Sequence, residues 1–282
     1  MNRHLRLSGL LAVVCLFFTT QLHAAAYRIG LNFQGSKFGT DALGSPADGN
    51  GAIGPNHFVE FINGRFSVYS KTTGVRVKTS DDVTFWSRAG VTIAANFGIS
   101  DPRVIYDVYS SRWFACMVDF NRSSPGSANH FLVAVSATSD PTGTWRGLSF
   151  SPDTATSFFA DFPTLGLDAN GLYISGFMFD VNGNSRGTVI DAIPKISLFQ
   201  VPPTTSGIRR SGVVSSSARG QIVQPAVTTG NATTPEVMLA VSSVGIDFLP
   251  HSTLIFSETV SSTLALGPAT TLTVPKIGRA HV

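Results

Sequence analysis

Two aspartates stand where a pair of carboxylates could do chemistry. Asp101 opens "SDPRVIYDVYSSRWFACMVD" and Asp161 opens "ADFPTLGLDANGLYISGFMF", each just ahead of a proline. Cleavage of a glycosidic bond needs two such groups, one raised in pKa to give a proton and one ionised as base or nucleophile. Arg103, two residues after Asp101, would clamp a substrate or a carboxylate. The Asp48–His57 region opens a third stretch of the same kind and adds His57 as a ligand-binding candidate. Against this chemistry, Asp before Pro at a strand start commonly caps its own turn through nearby N–H groups. Glutamate is scarce, with Glu60, Glu236 and Glu258 alone, and none stands in a pattern that marks an acid catalyst.

A second constellation is "DVNGNSRGTVID". Asp180, Asn182, Asn184 and Asp191 fall at about positions 1, 3, 5 and 12 of a calcium loop. Ser185 replaces the glycine expected at position 6, and Asp replaces the bidentate Glu. Asn-Gly-Asn is also ordinary hairpin chemistry, and the turn reading is favoured over a Ca²⁺ site; no other cofactor is implied. His57, His130 and His251 are too scattered for a zinc ligand set. No Gly-x-Ser-x-Gly elbow or phosphate loop occurs.

These residues must be held by strands. Helical signals are nearly absent. The chain has 27 Gly and 15 Pro, and these punctuate runs rich in Val, Ile, Phe, Thr and Tyr, the residues a pleated surface prefers. "HFVEFIN" and "GRFSVYS" meet at Asn63-Gly64, whose positive φ values suit a tight hairpin. Further strands are expected at 129–138, from Trp145, and at 171–179, 188–201, 236–244 and 252–260. Four stretches share a proline, an extended run, a polar turn and a more apolar second strand. Their prolines are Pro55, Pro102, Pro163 and Pro225, at intervals of 47, 61 and 62 residues. Blades of four strands need roughly 40–50 residues plus loops. The expected fold is therefore all-β, a β-propeller of four-stranded antiparallel blades, with a β-sandwich as the alternative. Trp113 and Cys116 are read as core residues, given the continuous apolar run "FACMV".

The ends of the chain carry other signals. Arg3 and Arg6, the apolar run 7–18 and "HAAA" have the three parts of a secretory signal, with cleavage expected after Ala26. Residues 1–26 are thus a signal peptide and 27–275 the propeller, in a secreted, periplasmic or cell-surface protein. The final "IGRAHV" is what one frame of a common short-read sequencing adapter encodes, so 276–282 is read as adapter translation and the domain as incomplete. The 20 basic residues exceed the 17 acidic ones, but setting aside Arg3, Arg6, Lys276 and Arg279 reverses the balance by one. The basic character then gives no reason to expect nucleic-acid binding. No later run approaches the ~18 apolar residues of a membrane span.

"SATSDPTGTW" is similar to the Asp-box hairpin of sialidase-like propellers, with Thr138, Asp140 and Trp145 in register and Gly143 one position late. It also resembles the corresponding hairpin of five-bladed glycosidases. In both families that hairpin joins outer strands of a blade and is structural. Together with "GAIGPNHFVEFING", "DPRVIYD…RWF" and "DFPTLGLDANGLYISGF", residues 45–180 resemble an uncharacterised group of secreted bacterial propellers to which no reaction is attached. Sialidase chemistry would want an arginine triad and a Tyr–Glu pair, and no such set can be named here. The expectation is a secreted, non-enzymatic propeller that binds a glycan, a small ligand or a protein partner. The alternatives are a carbohydrate-active hydrolase using Asp101 and Asp161, and a structural surface protein anchored through a C-terminal segment.

Overall fold

The computed structural model describes residues 30–230, 236–241, 252–258 and 270–273. The proposed signal peptide, 1–26, and the adapter-like tail, 276–282, lie outside the described residues. The chain divides after Asn32, and every element lies in the unit that begins at Phe33. Among the described residues that unit holds four antiparallel sheets of four strands each, and within every sheet neighbouring strands follow one another in sequence. The first holds β1 (Asn50–Ile53), β2 (His57–Ile62), β3 (Arg65–Ser70) and β4 (Arg76–Ser80), followed by helix α1 (Asp82–Arg88). The second holds β5 (Phe97–Asp107), β6 (Arg112–Asn121), β7 (Phe131–Ser136) and β8 (Trp145–Phe150). The third holds β9 (Phe159–Leu167), β10 (Gly171–Phe179), β11 (Ser185–Pro194), then helix α2 (Lys195–Leu198) and β12 (Arg209–Arg210). After helix α3 (Ser216–Arg219) the fourth holds β13 (Gln221–Pro225), β14 (Glu236–Val241), β15 (Ser252–Glu258) and β16 (Thr270–Thr273).

Two-sided burial explains the apolar runs. In β6, Trp113, Ala115 and Met117 pack with Val59, Phe61, Phe66 and Val68 of the first sheet. The alternate residues Phe114, Cys116 and Val118 pack with Leu165, Leu172 and Ile174 of the third. Tyr173 and Ile190, on the third sheet's other face, meet Val223, Met238 and Ala240 of the fourth. Consecutive sheets therefore stack face to face in chain order, and a strand covered on both faces reads as unbroken hydrophobic sequence. Trp113 is fully buried as a core residue. Cys116 is too, its thiol pushed up to about 12 by burial.

The hairpin "SATSDPTGTW" joins β7 to β8, the third and fourth strands of its sheet. Asp140 accepts from the Thr142 N–H at 2.9 Å, and Trp145 Nε1 donates to Pro141 O at 2.9 Å. The Trp145 ring packs edge-on to Phe66 and Phe85. Two local expectations need correction. Helix α1 was not foreseen, although Asp81 caps it by accepting from Thr84 N–H at 2.7 Å while Phe85 and Trp86 are buried beneath it. The strand expected over 188–201 stops at Pro194 and turns into α2, because Lys195 is drawn inward.

Lys195 fastens the C-terminal ends of the first strands. Its ammonium donates to Asp107 Oδ2 at 2.7 Å and to the Asp168 carbonyl, with the Tyr109 ring 5.4 Å away. Asp107 ends β5, Asp168 follows β9, and all three residues are buried. Burial lowers the Lys195 pKa, and the Asp107 carboxylate opposes that shift.

Gly54 shows how tightly the first two sheets meet. A Cβ there would run into the indole of fully buried Trp113. Gly54→Ala is expected to cost about 1–3 kcal/mol through overpacking, read as a lowered midpoint in urea unfolding with an unchanged m-value.

Candidate active site

The same irregularity recurs in the first strand of three sheets. Between Ser100 and Arg103, β5 has one more residue than the facing stretch of β6. The same surplus occurs in β9 against β10, between Asp161 and Thr164, and in β13 against β14, between Gln221 and Gln224. Each bulge begins with a non-glycine residue in the left-handed region: Asp101 (φ 60), Phe162 (φ 49) and Ile222 (φ 51). Asp48 (φ 42) holds the corresponding place, two residues before Asn50 of β1. Bulges re-aim side chains, and left-handed non-glycine residues store strain that tends to collect at functional sites.

The residue that follows the bulge stitches each sheet to the next. Asn50 Oδ1 accepts from Val104 N–H at 2.7 Å. Arg103 Nε donates to Pro163 O at 2.9 Å. Thr164 Oγ1 donates to Val223 O. This register corrects the proline alignment. Pro102 and Pro163 are equivalent, but Pro55 lies in the β1–β2 turn and Pro225 ends β13. It also separates Asp161 from Asp101, since the counterpart of Asp101 is Phe162 and that of Asp161 is Ser100.

That offset brings the two carboxylates together instead of setting them at equal stations. Asp161 Oδ1 accepts from Phe162 N–H at 2.9 Å, and Asp101 Oδ2 accepts from the same N–H at 3.2 Å. Two acceptors on one donor stand no more than about 6 Å apart. Asp48 is the third member. Asn63 Nδ2 donates to Asp48 Oδ2 at 2.7 Å and to Pro46 O at 3.0 Å, while Asn63 Oδ1 accepts from Asp101 N–H at 2.9 Å. Asp101 is within hydrogen-bonding reach of both other carboxylates.

Burial, followed by the negative charges of Asp161 and Asp48, pushes Asp101 up to about 6. Asp161 is also raised by burial, but a hydrogen bond from Asp101 pulls it the other way. Below about pH 6 a proton shared by the cluster therefore resides on Asp101, with Asp161 accepting.

A cavity of about 520 Å³ opens along the same four first strands, within the ~300–1,000 Å³ of small-molecule pockets. Asn50 of β1, Arg103 and Tyr106 of β5, Phe162 and Leu165 of β9 and Gln224 of β13 all line it. Arg103 and Phe162 lie next to the carboxylates along the chain. The guanidinium stacks 4.7 Å from the centre of the Phe162 ring, which is 39% exposed.

Of the residues singled out in the sequence, Asp101, Asp161 and Arg103 converge here and His57 does not. His57 begins β2 beyond the hairpin turn, and Asp48 pairs instead with the end of that strand through Asn63. Five residues of strand put the His57 end about 17 Å from the Asp48 end. The calcium constellation does not assemble either. Asp180 accepts from Asn182 and Asn184 N–H, both at 2.9 Å, and pairs with Arg186. Hydrogen bonds from Asn184 lead in holding its carboxyl down to about 2. Asp191 lies fully buried within β11 opposite Ile174, with Arg210 Nε 3.8 Å away. The carboxylates of a metal loop would face one another; Asp180 serves a turn, and burial pushes the Asp191 carboxyl well up toward its neutral form. Asn63 was read only as a turn residue. Gly64 has positive φ (89) but Asn63 does not, and its amide is spent on Asp48 and Asp101. The signal available was the short polar side chain itself, which serves a turn or a neighbour equally well.

The sequence matches no family model, and no curated protein matches it. Among solved structures it is similar to the GH43 endo-arabinanase from Bacillus licheniformis, at 15% identity over 82% of both chains and a TM-score of 0.44. It is similar to the exo-beta-1,3-galactanase from Phanerochaete chrysosporium, at 15% identity over 79% of this chain and 49% of that one, with a TM-score of 0.44. A Synechocystis apocarotenoid oxygenase is matched at 12% identity over 80% of this chain and 49% of that one, with a TM-score of 0.46. These likenesses are loose, and the chemistry is argued from the carboxylates themselves. The expectation of a non-enzymatic binding module is corrected. Asp161 does cap its own turn, but Asp101 reaches the same Phe162 N–H, so the two carboxylates meet at one place instead of serving separate turns.

The carboxylate cluster sets a pH dependence. Asp101 has a folded pKa of about 6 against an ordinary 3.8. Its contribution to stability is therefore full below about pH 4 and is lost as pH rises through about 6. Asp101→Asn is expected to remove that fall and to unfold at higher denaturant than the parent at pH 7, by on the order of 1–3 kcal/mol. Equal stabilities at pH 4 and pH 7 in the parent would contradict this. Asn63→Ala strands the Asp101 N–H and the Pro46 carbonyl. It is expected to cost about 1–3 kcal/mol in the same measurement.

Proposed function

We propose that this chain is a β-propeller glycoside hydrolase, secreted by its N-terminal signal, that cleaves a saccharide at the carboxylate cluster of Asp48, Asp101 and Asp161. The observation that carries the reading is the convergence of Asp48, Asp101 and Asp161 through the Asn63 amide and the Phe162 N–H. The propeller reading is supported by four sequential sheets stacked face to face, with their first strands around one cavity.

In this mechanism Asp101 donates its proton to the glycosidic oxygen as the C–O bond breaks. The Asp161 carboxylate, within about 6 Å, attacks the anomeric carbon as in retaining enzymes; water then displaces it and gives its proton to Asp101, which restores the starting state. Asp48 lies beside Asp101 and adds to the push that raises the acid to about 6. The apolar walls of the cavity and the Phe162 ring offer a surface for the faces of sugar rings.

The test is release of reducing ends from arabinan, β-1,3-galactan, xylan and polygalacturonate oligosaccharides. Cleavage of at least one is expected, with Asp101→Asn and Asp161→Asn each lowering kcat by about 10²–10⁴-fold. The rate should fall above about pH 6, where Asp101 loses its proton. Cleavage that survives both substitutions would sink the assignment.

A further inference from the structure

Arg103 carries more than its structural task requires. Asn50 and Thr164 occupy the equivalent places in the neighbouring sheets, and each makes its stitch with a single polar atom. Arg103 makes the same stitch with Nε, and Nη1 donates to Pro102 O at 3.1 Å. Nη2 has no partner among the described residues. The guanidinium is thus fixed by two carbonyls and by the Phe162 ring, and Arg103 lines the cavity.

Its charge is unspent. Arg103 forms no ion pair among the described residues. A ligand that covers an unpaired guanidinium strips its water, and the cost is recovered only when the ligand brings negative charge. A planar fork held in place meets a carboxylate with two parallel hydrogen bonds.

We infer that Arg103 selects an acidic saccharide, binding the carboxylate of a hexuronic acid residue while the adjoining linkage lies against Asp101 and Asp161. This rests on the hydrolase reading of the same site and adds the substrate class. Phe162 holds the guanidinium in place, and its exposed edge contacts the sugar ring. The arginine's charge also offsets the repulsion that three aspartates would exert on such a substrate.

The test uses the full chain carrying Asp101→Asn, so that binding is read without turnover. Trigalacturonate and neutral galactotriose are titrated calorimetrically against it. Trigalacturonate is expected to bind at least about tenfold more tightly, with a preference that weakens as salt is raised. Adding Arg103→Gln should abolish the preference, and Arg103→Lys should keep part of it. Equal affinities for the two trisaccharides, or a preference that survives Arg103→Gln, would overturn the inference. If Arg103→Gln unfolds, the comparison of the two trisaccharides on the Arg103 chain decides alone. Binding of trigalacturonate with no saccharide cleaved by the parent would remove the hydrolase and leave the anion site. Cleavage of neutral saccharides indifferent to Arg103 would do the reverse.

Discussion

The arrangement depends on one polar side chain at the end of β2. The Asn63 amide donates to Asp48 and accepts from the Asp101 backbone, so the first two sheets are held in register where their first strands begin. Asp101 passes the connection on by accepting from Phe162 N–H in the third sheet. Three sheets are tied by a chain of hydrogen bonds that runs through carboxylates. The consequence is electrostatic. The groups that fasten the strand starts are the groups that repel one another, and that repulsion adds to burial in pushing Asp101 up to about 6.

The opposite ends of the first strands solve the same problem differently. There Lys195 sits between Asp107 and the Asp168 carbonyl, a buried cation matched to a buried anion. Removing one partner of such a pair is costly, since the other is left buried and uncompensated. One end of the first strands is thus neutralised by an ion pair and the other by protonation.

Much of the sheet architecture was legible in the sequence because the physics is local. β10 matches the expected strand 171–179, and the unbroken apolar run after Arg112 follows from burial on both faces of β6. The site was half legible. Asp101, Asp161 and Arg103 stood out by type and by their neighbouring prolines. Their true relation did not, since a bulge adds one residue to a strand without a distinctive residue type. Asp101, Phe162 and Ile222 share a backbone conformation and nothing in side-chain chemistry. His57 was misplaced because nearness in sequence across a hairpin places residues at opposite strand ends. Helix α1 was hidden by Phe85 and Trp86, aromatic residues that also suit a strand.

Cys116, in the middle of β6, has a consequence of its own. Both faces of its sheet are covered, and its thiol, pushed up to about 12, carries almost no thiolate at neutral pH. A thiol-directed reagent meets that sulfur only when the second and third sheets part. The labelling rate would then report the rate or free energy of that opening, depending on whether reclosing or reaction is faster. The chain carries within its core a clock for the separation of its own sheets.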